Sequence, residues 1–587
     1  MQETFDSLYA KSKEGCVFKK LYPIIISDEN ILLAYRTIKS NSGSHTPGTN
    51  RHTIEHWENQ STEKFLKYVK KRLEDYRPQS VRRVEIPKPN GKKRPLGIPC
   101  IEDRIIQQCI KQVLEPICEA KFHPNSFGFR PNRSTEHATA YVYRKINLDK
   151  CYYIVDVDVK GFFDNVNHGK LLRQIWALGI HDKKLLSIIS AMLKAEIKGI
   201  GIPEKGVPQG GILSPLLSNI VLNELDWWIS NQWETFESNH TYTVNGSKYH
   251  ALRKSKLKEI YIVRYADDFK IVCRTKDAAK RIFIAVEDWL KERLGLEISP
   301  EKSKITNLKK EYTEFLGFKI KATKKRKTRV VKSHMTDKAK KKAEKAIKEQ
   351  VKNIQHSPTV TEVLKLNSMI AGVQNYYKLA TNVSLDFAEI NYNLLKCMRN
   401  RFKQIASKEG YESREYKEKY EGYSGHRWNV AGIKIYPVYA VRTQIPICYN
   451  PKICNYTEEG RKIIHEKLGA INYSILHYLA THPNEYESVE FNDNRLSKYT
   501  AQKGMCPISG QPLGIFLEVH HIKPRKDGGT DEYKNLVLVT YGVHKLIHAT
   551  NPETISEYLE LLNLNNDAIK KLNKFRKKVG NDEIKRA

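Results

Sequence analysis

The chain has 587 residues, 40% of them apolar, which is enough for several packed cores. Lys and Arg outnumber Asp and Glu by 100 to 66, and the resulting charge of +34 predicts a polyanionic partner. The ten cysteines show no paired short spacing, so we expect a reduced compartment; there is no signal-peptide pattern and no apolar run of about 20 residues, so we expect a soluble protein.

The first 80 residues alternate short helical patterns with a polar loop at residues 41–48. Residues 82–99 follow and read RRVEIPKPNGKKRPLGIP. In this segment the turn residues Pro89, Asn90 and Gly91 separate two strand-like runs. The pattern predicts a β-hairpin.

Residues 152–159 form an apolar, buried-type strand that carries two acids, Asp156 and Asp158. Both acids lie on the same face of a strand, because side chains alternate along it. Residues 206–219 then read GVPQGGILSPLLSN, a Gly/Pro-rich loop that opens an apolar helix. The loop lies in sequence between this acidic strand and a second acidic segment.

The second acidic segment is Tyr265-Ala266-Asp267-Asp268, flanked by the apolar β-formers of residues 260–263 and 269–272. It predicts a β-hairpin with paired carboxylates at its turn. An Asp-Asp pair by itself is more often a polar turn than a metal site. With a third Asp on a neighbouring strand, however, such a turn can hold two divalent cations roughly 4 Å apart, as phosphoryl transfer requires.

Residues 324–329 and 338–348 are strongly basic, and the second run predicts a helix with a basic face. A charge run of this kind is usually a solvated helix surface. The alternative interpretation is contact with a nucleic-acid backbone, through Lys338, Lys340, Lys341, Lys342 and Lys345.

The last segment is rich in histidine, with His520 and His521 on a predicted strand and His544 and His548 on a predicted helix. Spacing of four places His544 and His548 on one helix face, where they can share one cation. Adjacent strand residues face opposite ways, so one of His520 and His521 can ligate a metal while the other activates water.

These blocks, taken in order, resemble the reverse transcriptases of group II introns. The resemblance rests on the acidic strand, the PQGG loop, the YADD hairpin, the upstream segments 82–99 and 126–131, and the downstream segments 295–302 and 315–318. Residues 366–380 resemble the maturase (X) domain of that family, and residues 517–548 resemble an HNH (ββα-metal) endonuclease.

The resemblance implies a multidomain α+β protein, with a right-hand polymerase of fingers and palm, a helical thumb/X domain and a C-terminal ββα-metal HNH module. The implied domains are an N-terminal extension at 1–80, fingers and palm at 81–325, thumb and maturase X domain at 326–424, a DNA-binding region at 425–495 and the HNH endonuclease at 496–587.

For the polymerase, the resemblance implies that Asp158, Asp267 and Asp268 are catalytic and bind two Mg²⁺ ions, with the backbone carbonyl of Val159 as a further ligand. The family spacing selects Asp158 over Asp156. The implied nucleotide-binding residues are Lys88 and Arg94 for the triphosphate, Phe163 against the sugar 2′ position, Gln209, and Lys302 for pyrophosphate.

For the nuclease, it implies that His520, His544 and His548 bind one divalent metal and that His521 is the general base. Asn535 would orient the base, and Glu518 would contact a metal-ligating residue without binding the metal itself. Many intron-encoded relatives also carry two Cys pairs for structural zinc. Here Cys506 is followed by Ser509, and Thr540 and Val543 stand near the helix start, so no zinc tetrathiolate is expected.

The implied function is that of a group II intron-encoded protein: an RNA-directed DNA polymerase, a maturase that binds its intron RNA, and an endonuclease whose cut in target DNA primes copying. Its partners would be intron RNA, target DNA and deoxynucleotides, without a membrane, in a bacterial cytoplasm or an organellar matrix or stroma. Two alternatives are a reverse transcriptase with an antiphage or CRISPR-linked task and a non-catalytic splicing factor.

Overall fold

The computed structural model describes residues 1–87, 91, 93–465 and 472–584. The helices, in chain order, are α1 Gln2–Lys13, α2 Tyr22–Ile25, α3 Asp28–Lys39, α4 Glu55–Glu58, α5 Thr62–Glu74, α6 Ile101–Glu119, α7 Thr135–Asn147, α8 Phe162–Asn165, α9 His168–Ala177, α10 Lys183–Leu193, α11 Ser214–Asn231, α12 Asn245–Leu252, α13 Lys276–Trp289, α14 Asp337–His356, α15 Val360–Tyr377, α16 Val383–Phe402, α17 Arg414–Tyr420, α18 Glu458–His465, α19 Tyr473–Thr481, α20 Val489–Ala501, α21 Tyr541–His548, α22 Pro552–Leu562 and α23 Asn566–Lys578. The strands are β1 Arg82–Pro87, β2 Lys93–Ile98, β3 Tyr153–Val157, β4 Ile260–Tyr265, β5 Asp268–Cys273, β6 Lys304–Asn307, β7 Thr313–Phe315, β8 Phe318–Lys325, β9 Thr328–Met335, β10 Asn429–Val430, β11 Ile433–Lys434, β12 Glu518–His521 and β13 Leu536–Val539.

The chain divides into two compact units. The first comprises residues 1–122, 163–220 and 452 onwards, and the second comprises residues 123–162 and 221–451. The N-terminal helices and the C-terminal histidine-rich segment therefore belong to the same unit, although more than 300 residues separate them in sequence.

A four-stranded antiparallel sheet in the order β4-β5-β3-β6 forms the centre of the second unit. The middle strands are largely buried on both faces and are apolar apart from residues such as Asp156 and Lys270, and α13 packs against the sheet. The hairpin predicted from the acidic segment is confirmed: Tyr265 pairs with Asp268 and leaves Ala266 and Asp267 as the turn. The predicted strand that precedes Asp158 is also confirmed.

The three-stranded sheet β7-β8-β9 and the helices α14 to α16 continue the second unit. The predicted basic helix is α14, whose first turn is capped by the Thr336 hydroxyl, which accepts a hydrogen bond from the Ala339 amide at 3.3 Å. Its buried face is apolar, with Ala343, Ile347 and Val351 at helical spacing. The lysines of its first two turns lie on the remaining faces.

The predicted hairpin at residues 82–99 is present in the first unit as the antiparallel pair β1-β2. The loop that contains Gln209 closes onto this hairpin, because the Gly97 amide donates to the Gln209 carbonyl at 2.6 Å. Gly210 has φ +108°, and a Cβ added there would lie 2.5 Å from the Gly97 carbonyl oxygen. Only glycine fits so close an approach.

The histidine-rich segment folds as two antiparallel strands followed by a helix, β12, β13 and α21, as predicted. The register pairs His520 with Val537 and His521 with Leu536. The apolar core of this ββα unit includes Leu538, Val543 and Leu546, each almost fully buried. Cys506 is also part of that core.

Helix α20 joins the ββα unit to the N-terminal helices. The Thr62 amide donates to the Glu487 carbonyl at 3.1 Å, the Val489 amide donates to the Gln60 carbonyl at 3.2 Å, and Lys39 forms an ion pair with Asp493 at 3.1 Å. The expected boundary between residues 495 and 496 lies inside this helix. The domain limits remain a prediction.

None of the helices described is both long and apolar enough to cross a membrane.

Candidate active sites

The turn of the acidic hairpin is fixed by its neighbours. Arg264 is fully buried, forms a bidentate ion pair with Asp226, and donates to the Ala266 carbonyl at 2.7 Å. Gly128 lies against the same turn, and a Cβ added to it would come within 2.1 Å of the Ala266 nitrogen. The turn that carries Asp267 and Asp268 is therefore held from both sides.

Asp158 directly follows β3 and is half-exposed. Its carboxylate accepts a hydrogen bond from the Lys302 ammonium at 2.9 Å, and its backbone amide donates to the Ser303 hydroxyl at 3.1 Å. The backbone of Val159 pairs with Ile298, but the flanking bonds use the Asp158 carbonyl and the Lys160 amide. The Val159 carbonyl takes part in neither bond.

Asp156 differs from Asp158 in its surroundings. It is buried, and its carboxylate forms an ion pair with Lys270 at 2.5 Å and accepts hydrogen bonds from the hydroxyls of Thr306 and Thr313. A buried carboxylate with all these partners has few free lone pairs. Asp156 is therefore a structural residue of the sheet, and Asp158 is the acid available to a ligand.

Negative charge is concentrated at this end of the sheet. Burial raises the pKa of the Asp268 carboxyl, and the Lys270 ammonium opposes that rise. The neighbouring carboxylates of Asp156, Asp267 and Asp158 raise the pKa further. A carboxyl group destabilised by like charges is stabilised by a bound cation, so these acids form a candidate site for divalent metal ions.

Three of the predicted nucleotide-binding residues lie in the first unit. The Arg94 guanidinium donates to the Gln209 side-chain carbonyl at 2.7 Å, so the hairpin and the PQGG loop bring these two residues together. Phe163 is buried, and its carbonyl accepts from the Val207 amide at 2.7 Å, which ties its helix to the same loop. Lys88 lies outside the described residues.

His520, His544 and His548, called here the histidine triad, bring one nitrogen each within 4.8 Å of one another. Ring centroids are 5.5 Å apart for His520 and His544 and 4.9 Å apart for His544 and His548. The Nδ1 atom of His520 lies 3.3 Å from the Nε2 atom of His548, and the Nε2 atom of His520 is buried without a hydrogen-bond partner among the described residues. Three imidazoles that converge in this way are ligands of the kind that divalent metal ions take, so the residues present fit such an ion.

The triad is held in the neutral form. Burial lowers the pKa of His520 to about 3, and the charges of the other histidines contribute. Burial likewise lowers the pKa of His544 to about 4, with smaller effects of His548 and Lys545. Neutral imidazoles are the form that ligates metals. Glu518 lies 3.8 Å from the Nδ1 atom of His544, where it can orient that ring.

His521 faces away from the triad and contacts Asp531. Its Nε2 atom lies 2.8 Å from the Asp531 carboxylate, and its ring stacks on Phe491. Burial would raise the pKa of Asp531, but hydrogen bonds from His521, Ser488 and Arg525 outweigh it and hold the pKa well below its ordinary value. Asp531 therefore stays ionised beside the predicted base.

Asn535 fixes the loop between β12 and β13. Its side-chain oxygen accepts from the Lys523 amide at 2.8 Å, and its amide group donates to the carbonyls of Lys523 and Thr530. Asp531 lies in that loop and contacts the imidazole of His521. The expectation that Asn535 orients the base remains a prediction, and these bonds give it a route through Asp531.

The lysines of α14 fall into two classes. Lys340 forms an ion pair with Glu389 at 2.6 Å. Lys338, Lys341, Lys342 and Lys345 are exposed, and within the described residues no acid pairs with them. These four are the cations left available to an external polyanion.

Sequence reasoning missed Arg264, Lys270 and Asp531. Nothing in the local pattern marks Arg264 or Lys270, because their partners lie 38 and 114 residues away. Asp531 follows the Gly528-Gly529 pair in the loop between β12 and β13. The available signal was an acid in the loop that leads back to the end of β12, where it can contact His521.

Comparison with known proteins agrees with this geometry. Residues 86–320 match the family model for reverse transcriptase (RNA-dependent DNA polymerase), and residues 506–541 match the model for HNH endonuclease. The group II intron-encoded protein LtrA of Lactococcus lactis subsp. cremoris is 32% identical over 459 residues, which cover 67% of this chain and 75% of LtrA.

Two further relatives are similar over a shorter part of the chain. Protein YkfC of Escherichia coli (strain K12) is 31% identical over 334 residues, covering 53% of this chain and 85% of YkfC. The putative COX1/OXI3 intron 2 protein of Saccharomyces cerevisiae is 32% identical over 333 residues, covering 50% of this chain and 38% of that protein.

The predicted fold class and enzyme class are confirmed by these matches. The chain belongs to the group II intron-encoded proteins, as a reverse transcriptase and maturase with a C-terminal HNH endonuclease.

Proposed function

We propose that this protein copies its own intron RNA into DNA, starting from a DNA end that its own nuclease makes, and that it works as a ribonucleoprotein with that RNA. The observation that carries the proposal is the presence of two chemically different candidate metal sites in one chain. One is a cluster of carboxylates on a sheet, and the other is the histidine triad. Two such sites suit two successive reactions on nucleic acids.

In the polymerase site, Asp158, Asp267 and Asp268, with the carbonyl of Val159, would hold two Mg²⁺ ions. The bound ions supply activation of the primer 3′-hydroxyl and neutralise charge on the leaving pyrophosphate. Arg264 positions the turn through the Ala266 carbonyl. Lys302 neutralises Asp158 before substrate binds and then serves as a cationic donor to pyrophosphate.

Deoxynucleotide binding is assigned to the loop and hairpin of the first unit. Arg94 and Lys88 would bind the triphosphate, and Gln209, which already contacts Arg94, would contact the nucleotide. Phe163 would exclude a ribose 2′-hydroxyl by occupying its space. The bond from the Val207 amide to the Phe163 carbonyl supports this role, because it fixes the backbone from which the ring projects.

In the nuclease site, the histidine triad would hold one divalent cation, which supplies charge stabilisation at the DNA phosphate. His521 accepts a proton from water. Asp531 accepts a hydrogen bond from the Nε2–H group of His521, which leaves Nδ1 with the lone pair that takes this proton. Asn535 fixes the loop of Asp531, and Glu518 orients His544.

Intron RNA is the proposed polyanion for the exposed lysines of α14. Lys338, Lys341, Lys342 and Lys345 project from one helix and lack acidic partners among the described residues, so each can neutralise a phosphate. The proposed compartment is a bacterial cytoplasm or an organellar matrix or stroma, where intron RNA and target DNA occur together.

The test is to purify the protein from its host, sequence the RNA that copurifies, and assay the particle for splicing, DNA cleavage and extension from the cut. We expect a group II intron lariat, cleavage of the strand that becomes the primer, and cDNA joined to that strand. An RNA of another class, or cDNA that never joins the cleaved strand, would refute target-primed copying of the intron.

A further inference from the structure

The described residues contain a third cluster of metal-type ligands, far in sequence from both the carboxylates and the histidine triad. His52, His56 and Glu102 bring one ligand atom each within 4.8 Å of one another. The two histidines stand in the sequence His52-Thr53-Ile54-Glu55-His56, the H-x-x-E-H spacing by which some zinc peptidases hold a metal. None of these three residues has a role in the proposed polymerisation or DNA cleavage.

Glu102 is the fixed member of the cluster. It lies in the first turn of α6, and only 2% of its side chain is exposed. One carboxylate oxygen lies 2.6 Å from the Nδ1 atom of His52, and the other accepts from the Asn50 side-chain amide at 2.9 Å. The Asn50 side-chain oxygen in turn accepts from the His52 backbone amide at 3.0 Å. The carboxylate is thus aimed at the imidazole.

His56 is exposed on the short helix α4. Its ring stacks on the ring of His52, with centroids 3.9 Å apart and planes 10° apart. Two parallel stacked rings cannot both direct a nitrogen at one ion, so metal binding requires the exposed side chain of His56 to rotate.

Glu102 is open to a cation. Among the described residues, its ion-pair partner is His52 alone, and neither Lys nor Arg pairs with it. The hydrogen bond from the Asn50 amide and the N-terminus of α6 stabilise its negative charge. A carboxylate beside two imidazoles offers the oxygen and nitrogen ligands that a divalent cation binds.

We propose that His52, His56 and Glu102 form a third divalent-cation site with the ligand set that Zn²⁺ prefers, and that the ion fastens the segment of residues 43–59 to helix α6. The site is structural and not hydrolytic. Glu55, which occupies the position of the catalytic acid in the peptidase motif, is exposed and lies 3.0 Å from the Nδ1 atom of His45.

The experiment counts the zinc ions that the full-length protein binds. The protein is first stripped of metal and then titrated with zinc in a buffer that contains excess Mg²⁺. The Mg²⁺ occupies the carboxylate sites, so that zinc binding there is not counted. We expect two ions for the wild type, one for the His544→Ala/His548→Ala variant, and none when His52→Ala and His56→Ala are added to it. An unchanged count after that addition would overturn the proposal, as would a His544→Ala/His548→Ala variant that binds no zinc.

A second variant distinguishes loss of the metal site from loss of folding. Glu102→Gln keeps the shape of the side chain and its bond to Asn50 but removes the charge, so it should lose one ion while its circular dichroism stays unchanged. Retention of both ions by Glu102→Gln would also overturn the site. His45→Ala is the matched control, because His45 is a nearby exposed histidine outside the cluster, and it should keep both ions.

Discussion

The carboxylate cluster and the histidine triad hold candidate metal sites of opposite electrostatic character. The carboxylates are partly exposed and negatively charged, and lysines stand beside them: Lys302 on Asp158 and Lys270 near Asp268. The triad is partly buried and neutral, and one of its nitrogens is unsatisfied within the described residues. Charge makes the first arrangement suitable for hard, exchangeable cations, and imidazole ligands make the second suitable for a borderline cation.

Because the two sites differ in this way, a substitution in one site should abolish polymerisation or DNA cleavage without affecting the other activity. Removal of charge should damage the first site most, whereas removal of a fixed ring or its hydrogen-bond partner should damage the second. Single substitutions in each site test that separation.

The largest effect should come from Asp268→Asn, which removes a charge where several carboxylates converge. We expect cDNA synthesis on a primed RNA template to fall at least roughly 10³-fold, with RNA binding and DNA cleavage retained. Asp267→Asn should behave in the same way. Asp277→Asn, an exposed acid of α13 in the same unit, is the control and should extend primers normally. Near wild-type extension by Asp268→Asn would exclude the metal assignment.

His521→Ala should lower target-DNA cleavage by roughly 10³-fold, because it removes the proposed base while the triad remains. Primed reverse transcription and splicing should be unchanged. Cleavage, extension and splicing are measured in parallel on the particle assembled with intron RNA, and His250→Ala, an exposed histidine of α12, serves as control. Loss of all three activities would instead assign His521 a role in folding.

Asp531→Asn should lower cleavage less, by about 10- to 100-fold, because the base is present but poorly held. Asp531→Glu should restore part of the activity, since it keeps the carboxylate. The readout is the single-turnover rate of strand cleavage, together with melting temperature. Equal rates for the Asn and Glu variants would mean that the charge next to His521 does not position it, and Asp567→Asn on α23 controls for a general effect of removing a negative charge.

Phe163→Val should increase ribonucleotide incorporation relative to deoxynucleotide by about tenfold, because space opens at the sugar 2′ position. Competition between the two nucleotides on one template measures the ratio, and the total extension rate monitors folding. Unchanged discrimination would make Phe163 an ordinary core residue.

The smallest effect is expected from the basic helix. Replacing Lys338, Lys341, Lys342 and Lys345 with Gln should weaken RNA binding and flatten its log-log dependence on salt by up to roughly 0.9 for each phosphate that is no longer neutralised. Lys340→Gln should change the slope little, because Lys340 already pairs with Glu389. An identical slope for the fourfold variant would identify the run as a solvated helix face.

Local patterns predicted the elements that carry both sites. Runs of apolar β-formers on both sides of Asp267 indicated the hairpin, and a spacing of four placed His544 and His548 on one face, both as observed. Contacts between distant residues could not be predicted in this way. The Arg94–Gln209 bond spans 115 residues and the Lys302–Asp158 pair spans 144, and such pairings depend on tertiary packing that no single window contains.

The contacts of Asn535 could not be predicted for the same reason. A residue at this position in the motif can contact the base or the loop beside it, and only the folded loop distinguishes the two. The grouping of the N-terminal helices with the C-terminal segment in one compact unit likewise depends on contacts such as Thr62 with Glu487.

The packing of α20 on the N-terminal helices affects how the chain folds during synthesis on the ribosome. Helices α3 and α5 are completed early, but α20, which packs on them, emerges more than 400 residues later. At 5–20 residues per second, the N-terminal helices wait roughly 20 to 80 s for this partner. During that interval Lys39 lacks Asp493, and the side chain of Thr62 lacks its Glu487 and Asn492 partners. A nascent chain that stalls before α20 leaves this surface uncovered, so stalled chains should bind chaperones at their N-terminal helices.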